Sequence, residues 1–146
     1  MENLSAHDLK NLILSVFSPR TEDKTLIIIV DVPDERIADQ SSWKQRRIMA
    51  AEWWQKLEAV KGEIGLEYVR IVYYPNVHNN NADLPESFYF YGESPENLDA
   101  AKLIKKGSKI TQHDLLIQSQ IMLAPTQFSA TAPLKLLSKN LIIVYR

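Results

Sequence analysis

The sequence TLIIIVD, residues 25–31, restricts the fold more than any other stretch of the chain. Five consecutive apolar residues, four of them β-branched, stand between Thr25 and Asp31 without the polar alternation of a half-exposed strand. Such a run is typical of a strand that is covered on both faces, and strands of this type belong to parallel sheets flanked by helices. The chain is therefore predicted to contain a central strand of a parallel sheet here.

A long one-sided helix and a second apolar strand follow. The helix is predicted over residues 41–60, with Ser41 or Ser42 as its N-cap and with Gly62 and Gly65 as its stop. At ~100° per residue its apolar side chains share an arc of about 140°; they are Trp43, Met49, Ala50, Trp53, Trp54, Leu57 and Val60. LEYVRIVYY, residues 66–74, reads as the second strand. Strand, helix and strand in this order form a βαβ unit with a right-handed crossover.

The remaining segments continue the alternation of helices and strands. Capping boxes at residues 5–8 and 111–114 begin two helices, and Ser94-Pro95 begins a third that ends at Gly107. Residues 87–91, 120–124 and 141–145 read as strands, and residues 132–139 as a short helix. This order predicts a single α/β domain over residues 1–146: a three-layer, Rossmann-like sandwich with a mostly parallel sheet of four or five strands and helices on both faces.

Composition excludes several classes of function. The net charge of −1 argues against a broad electrostatic contact with nucleic acid or with an anionic membrane. The chain has no cysteine, so a disulfide framework and a thiolate metal site are impossible. No apolar run reaches the length of a membrane span. These features predict a cytoplasmic protein without a nucleic-acid or membrane partner.

Sequence motifs for phosphate binding and catalysis are missing. The four glycines cannot form a Gly-rich phosphate loop. Asp31 and Asp34 invite comparison with the aspartate phosphotransferases, but two residues separate them where that motif has one. No serine, histidine and acid arrangement stands out, so no catalytic residue is predicted. His78 could bind a cation with Asn79 and Asp83, although the loop that carries them is predicted to be exposed and flexible.

Arg46 and a hydroxyl cluster are the other polar features of interest. Arg46 falls inside the apolar arc of the long helix, where it either covers apolar surface with its guanidinium in water or pairs with Asp31 or Asp34. Thr126, Ser129 and Thr131 follow the predicted strand at residues 120–124. Ligands of open α/β sheets bind beyond the carboxyl ends of strands, so these hydroxyls could bind a ligand. They could equally cap a helix or suit a turn.

The segment IMLAPTQFSATAPLKLLSKN, residues 121–140, resembles part of the N-terminal α/β domain of the aminopeptidase T-type metallopeptidases and their uncharacterised relatives. Those proteins pair an apolar strand with a Thr-x-Phe-Ser-x-Thr-like turn, a short helix and another strand. The order of helix, EDKTLIIIV, long helix and LEYVRIVYYP is similar too. The resemblance implies that the two-metal site lies in a following domain. No metal ligand is therefore carried over to this sequence, and a divalent metal would belong to that following domain.

Two hypotheses about function follow. The first is a non-catalytic N-terminal domain of an aminopeptidase-like hydrolase, which shapes a cleft or an oligomer. The strand predicted at residues 141–145 has no helix after it, which favours a fragment of a longer protein over a true end at Arg146. The alternative is a small-molecule or nucleotide-binding module that acts through Thr126, Ser129 and Thr131, with Asp31 and Asp34 as further ligand-binding candidates.

The tryptophans of the long helix suggest a partner surface. Trp53 and Trp54 diverge by ~100° around the helix, so one can face the sheet while the other lies at a flank. Aromatic residues at such a flank are enriched in interfaces. The expected partner is a second copy of the chain or a second domain of the same protein. Coverage of both tryptophans by the N-terminal helix remains the alternative.

Overall fold

The computed structural model describes residues 4–91, 100–130 and 132–134 of the chain. The described part is a mixed α/β structure, which confirms the predicted class. Its elements are α1 (Ala6–Phe17), β1 (Thr25–Val32), α2 (Ser41–Ile64), β2 (Tyr68–Pro75), β3 (Ser87–Phe90), α3 (Ala100–Lys106), β4 (Ser108–Thr111), α4 (Gln112–Gln118) and β5 (Ile121–Leu123).

The strands form one open sheet in the order β4-β3-β2-β1-β5. β1 is parallel to β2 on one side and to β5 on the other, whereas β3 is antiparallel to both β2 and β4. The predicted parallel pairing therefore holds for three of the five strands in the described residues. Residues 76–86, which join β2 to β3, contain no helix, and a parallel pair normally needs a helical crossover.

β1 lies between β2 and β5, and its apolar run contributes to the core on both faces of the sheet. Leu26, Ile28 and Val30 pack in one buried cluster with side chains of α1, α2 and α3. Ile27 and Ile29 pack in a second cluster with side chains of α4 and residue 134. Each fully buried aliphatic side chain contributes about 1.5–3 kcal/mol. The uninterrupted apolar run of β1 is thus explained by helices that cover it from both sides.

α1 begins at the predicted capping box. The Ser5 hydroxyl accepts the N–H of Asp8 at 3.0 Å, and the Asp8 carboxylate accepts the N–H of Ser5 at 3.1 Å. Leu9 and Ile13 are fully buried against α2, but Val16 is half exposed. The apolar face of this helix is therefore longer than the surface that covers it.

α2 is longer than predicted at one end and is capped differently at the other. Gln40, not Ser41 or Ser42, occupies the N-cap and makes no side-chain cap bond. The serine cap was a wrong prediction, since the Gln40 carbonyl already accepts the first helical N–H groups. The helix continues through Gly62 and ends at Gly65, which has a φ of 91°. Gly65 is therefore the stop that the sequence indicated.

Several predictions fall partly or wholly outside the described residues. The start of the third predicted helix, the strand at residues 141–145 and Thr131 all lie there. β4 had not been predicted, because its sequence SKIT offers only one apolar residue. The second cap is found: the Thr111 hydroxyl accepts the N–H of Asp114 at 3.1 Å. Within the described ranges, no helix is long and apolar enough to cross a membrane.

Candidate functional site

The carboxyl ends of β1, β2 and β5 lie at one edge of the sheet, because the three strands are parallel. In open α/β sheets this edge is where ligands bind. Two different structures stand there. One lies between β1 and β5 and is closed by hydrogen bonds. The other lies beyond β1 and β2 and contains a cavity.

Asp31 closes the side between β1 and β5. Its side chain is 1% exposed, and its carboxylate accepts the N–H of Gln127 at 2.8 Å and that of Phe128 at 3.0 Å. Burial raises the pKa of Asp31 from its ordinary value, and the two N–H groups and the positive charge of Arg46 oppose that rise. Asp31 therefore fastens the loop after β5 to the end of β1.

Arg46 reinforces the same contact from the first turns of α2. Its side chain is buried, and its guanidinium donates to the side-chain oxygen of Gln127. Burial lowers the pKa of Arg46, and the negative charge of Asp31 opposes that change. The ring of Trp43 lies 6.1 Å from that of Phe128. Of the two sequence alternatives, the structure shows a buried guanidinium attracted to Asp31 rather than one held in water.

The hydroxyl cluster is occupied by contacts within the protein. Thr126 is fully buried, and its hydroxyl donates to the carbonyl oxygen of Phe128 at 2.8 Å. The Ser129 hydroxyl donates to the Asn81 side chain at 3.2 Å, and the Ser129 N–H donates to the Asn80 side chain at 3.0 Å. Thr131 is outside the described residues. A ligand role for Thr126, Ser129 and Thr131 thus stays a prediction, without a contact that favours it.

The asparagine run at residues 79–81 has a structural role that the sequence did not indicate. Asn81 donates its N–H to the Ser129 carbonyl at 2.6 Å, and its side chain accepts the N–H of Ala132 at 3.0 Å. Together, the side chains of Asp31, Asn80 and Asn81 accept the backbone N–H groups of residues 127, 128, 129 and 132. An anion at this loop would have to displace them.

Asp34 lies beyond the end of β1 and pairs with His78. The distance from Asp34 Oδ2 to His78 Nε2 is 2.6 Å, and Asp34 Oδ1 accepts the N–H groups of Arg36 and Ile37 at 3.0 Å. Burial alone would raise the pKa of Asp34, but these hydrogen bonds together lower it. Asp34 is therefore an acceptor that shapes the turn after β1.

Asn76 also holds His78 in place. The φ of His78 is 64°, a left-handed conformation that is uncommon outside glycine. The side chain of Asn76 accepts the N–H of His78 at 3.1 Å and donates to the Val32 carbonyl at 3.0 Å. His78 pairs with Asp34 rather than with the Asn79 and Asp83 of the predicted cation site. Among the described residues, no group of three or more His, Asp and Glu side chains could hold a metal ion.

A cavity of about 490 Å³ opens between the turn after β1, the end of β2 and α3. Its walls are formed by Val32, Pro33, Asp34, Glu35, Ile37, Asp39, Pro75, Ala100 and Ile104. Asp39 is fixed by the buried Arg47, whose guanidinium donates to both carboxylate oxygens at 2.9 and 2.8 Å. The volume lies in the range of small-molecule sites, and the walls are mostly apolar, as in such sites.

Sequence reasoning missed most of the residues around this cavity. Asp34 had been singled out, but Glu35, Asp39 and Arg47 had not. Arg47 is 1% exposed, and the only signal for it was Asp39, eight residues earlier in the turn that leads into α2. The cavity itself depends on α3, whose position beside β2 no local pattern reveals.

Comparisons of the chain with protein-family models, with curated proteins and with solved structures give no match. The resemblance of residues 121–140 to the aminopeptidase T-type domain therefore stays a prediction.

Proposed function

We propose that this chain is a small-molecule-binding α/β module whose ligand occupies the cavity at the carboxyl ends of β1 and β2. The observation that carries the proposal is the cavity of about 490 Å³ itself. It combines the edge of the sheet where α/β proteins bind ligands with mostly apolar walls and a few polar side chains. This develops the second sequence hypothesis and moves the site from the hydroxyl cluster to the cavity.

The walls of the cavity have the support that a binding site needs. Asp34 fixes the turn after β1 through the N–H groups of Arg36 and Ile37. The ion pair between Asp39 and Arg47 fixes the approach to α2. Walls held in this way do not have to be ordered when the ligand binds, which reduces the entropic cost of binding.

The proposal is tested by methyl-detected NMR titration of the 146-residue chain with a set of small molecules that includes nucleotides and phosphorylated metabolites. A true ligand is expected to shift the methyl signals of Val32, Ile37 and Ile104 together. Ala100→Leu, which fills part of the cavity, should weaken binding. Ala59→Leu is the matched control, since Ala59 is an exposed residue of α2. Binding that Ala100→Leu leaves unchanged would place the ligand elsewhere.

The hydroxyl cluster is tested in the same titration. If Thr126, Ser129 and Thr131 bind a nucleotide or a phosphorylated metabolite, Ser129→Ala should weaken the binding of that ligand. The signals that shift should then belong to residues 126–130. A ligand that shifts only the cavity methyls would count against the cluster.

We also propose that the complete domain is a three-layer, Rossmann-like sandwich. Support comes from the βαβ unit of β1, α2 and β2 and from the two buried clusters on opposite faces of the sheet. The cytoplasmic location inferred from the sequence is likewise a proposal, which fractionation of cells expressing the natural gene would test.

A second candidate is the non-catalytic N-terminal domain of an aminopeptidase-like hydrolase. The observation that favours it is the segment at residues 121–140, of which β5 and the turn after it are described. The 146-residue chain alone should then release no amino acid from peptide substrates at any divalent metal concentration, whereas a longer product of the same gene should do so. A stop codon directly after Arg146 would contradict this candidate.

A further inference from the structure

Among the described residues, the side chains that line the cavity include no hydrogen-bond donor. Three of the nine carry carboxylates, namely Asp34, Glu35 and Asp39, and the other six are apolar. An ionised carboxylate only accepts hydrogen bonds. A ligand that satisfies the polar part of this wall must therefore supply the donors itself.

Three of the nine lining residues offer no free backbone N–H group. Pro33 and Pro75 have no N–H group. The N–H of Ile37 is already donated to Asp34. A phosphate or carboxylate group in the cavity would meet the carboxylates of its wall, and these three residues would give it none of the N–H groups that normally compensate such a charge. This argues against a nucleotide at this position.

Glu35 is the carboxylate that remains available. Asp39 is neutralised by the guanidinium of Arg47, and Asp34 is engaged by His78 and by two backbone N–H groups. Glu35 is exposed, and within the described residues it has no ion-pair partner. Its side chain stands at the wall of a cavity whose remaining surface is mostly apolar.

Building on the proposed function, we infer that the cavity binds a small organic amine: an apolar body against the apolar wall formed by Val32, Ile37, Pro75 and Ile104, with its ammonium group on Glu35. The ammonium group supplies the donors that the wall lacks, and a hydrogen bond between ions is stronger than one between neutral groups. The apolar body gains free energy from leaving water. Neither the aminopeptidase resemblance nor the hydroxyl cluster is needed for this inference.

The test compares three probes with the same apolar body: 2-phenylethylamine, 2-phenylethanol and 3-phenylpropanoate. Each is titrated into the 146-residue chain at pH 7 and low salt, with the methyl signals of Val32, Ile37 and Ile104 as the readout. The amine should bind about tenfold more tightly than the alcohol, and the carboxylate more weakly than either. The advantage of the amine should shrink as salt is added.

Two variants locate the effect. Glu35→Gln should reduce the advantage of the amine over the alcohol to about twofold or less and should leave the affinity of the alcohol unchanged. Glu67→Gln, at the opposite edge of the sheet just before β2, is the matched control and should bind all three probes like the wild type. Both residues are exposed, so neither change is expected to disturb folding.

The outcomes separate this inference from the proposed function. Equal binding of the amine and the alcohol, or tightest binding of the carboxylate, would overturn the amine inference but leave the cavity as a binding site. An amine advantage that survives Glu35→Gln would overturn the role of Glu35 as the ammonium's partner. If none of the three probes shifts the cavity signals at millimolar concentration, the proposed function itself fails in this cavity and the amine inference fails with it.

Discussion

Replacing Asp31 by asparagine is expected to cost about 3 kcal/mol of the free energy of unfolding. The Asp31 carboxylate accepts two backbone N–H groups, at 2.8 and 3.0 Å, in a site that is 1% exposed. A hydrogen bond to a charged group contributes about 1.5–3 kcal/mol. Asparagine keeps one acceptor oxygen and turns an NH₂ group towards the second N–H. One bond is therefore lost and one buried N–H is left without an acceptor, which gives roughly 2–4 kcal/mol.

Urea unfolding at pH 7, followed by tryptophan fluorescence and by circular dichroism, measures this loss. For a chain of this size each kcal/mol lowers Tm by roughly 2–4 °C, so Asp31→Asn should lower Tm by roughly 6–12 °C. Hydrogen exchange adds a local readout, because the amides of Gln127 and Phe128 should lose protection more than those of α2. Asp83→Asn is the matched control at an exposed position and should stay within about 0.5 kcal/mol of the wild type. An Asp31→Asn protein as stable as the control would refute the reasoning.

Three further predictions concern pH, packing and association. Despite its burial, hydrogen bonds from His78, Arg36 and Ile37 lower the pKa of Asp34, so the stability that its carboxylate contributes is fully present above the ordinary carboxyl pKa of about 4 and is lost as pH falls through the lowered value. The difference in unfolding free energy between wild type and Asp34→Asn, measured by urea unfolding from pH 2 to 7, should therefore increase with pH, and a decrease would contradict the assignment. Gly107→Ala should destabilise the protein by about 1–3 kcal/mol in thermal unfolding, because the added Cβ would lie 2.5 Å from the Leu103 carbonyl oxygen. Gly62→Ala is the control: its Cβ would meet nothing within 4 Å, so this change should be neutral or stabilising. Sedimentation velocity should show self-association of the wild type at tens of micromolar that Trp54→Ala weakens, and a clean wild-type monomer would rule out this partner surface.

Elements with strong local signals were predictable from the sequence. The capping box of Ser5, the apolar run of β1 and the left-handed Gly65 each depend on residues that are neighbours in the chain, and all three are found in the structure. Trp53 is buried, while Trp54 is half-buried and donates its indole N–H to the Val69 carbonyl at 3.0 Å. The helical arc therefore identified the buried face of α2 but not how far its flank is covered.

Features that depend on distant residues were not predictable. The bonds from Asp31 to the loop after β5 join residues that are 96 and 97 positions apart, and no periodicity records such a pair. The antiparallel β3 and β4 were missed as a pair because β4 has a single apolar residue and forms by pairing with β3. Arg47 was hidden because an arginine in a helix is usually at the surface, and the sequence does not show that Asp39 pairs with it.

The two sides of β1 therefore have different roles at the carboxyl edge of the sheet. Between β1 and β5, Asp31, Asn80 and Asn81 satisfy the N–H groups of the loop, so an incoming anion would have to break existing bonds to gain new ones. Beyond β1 and β2, prolines and aliphatic side chains leave a cavity with few donors. A ligand gains more binding free energy from the apolar cavity wall than from a loop whose N–H groups are already hydrogen-bonded. Only the cavity wall has apolar surface that the ligand can remove from water. Binding is for this reason expected on the β2 side, with the loop after β5 serving as a rigid support for β1.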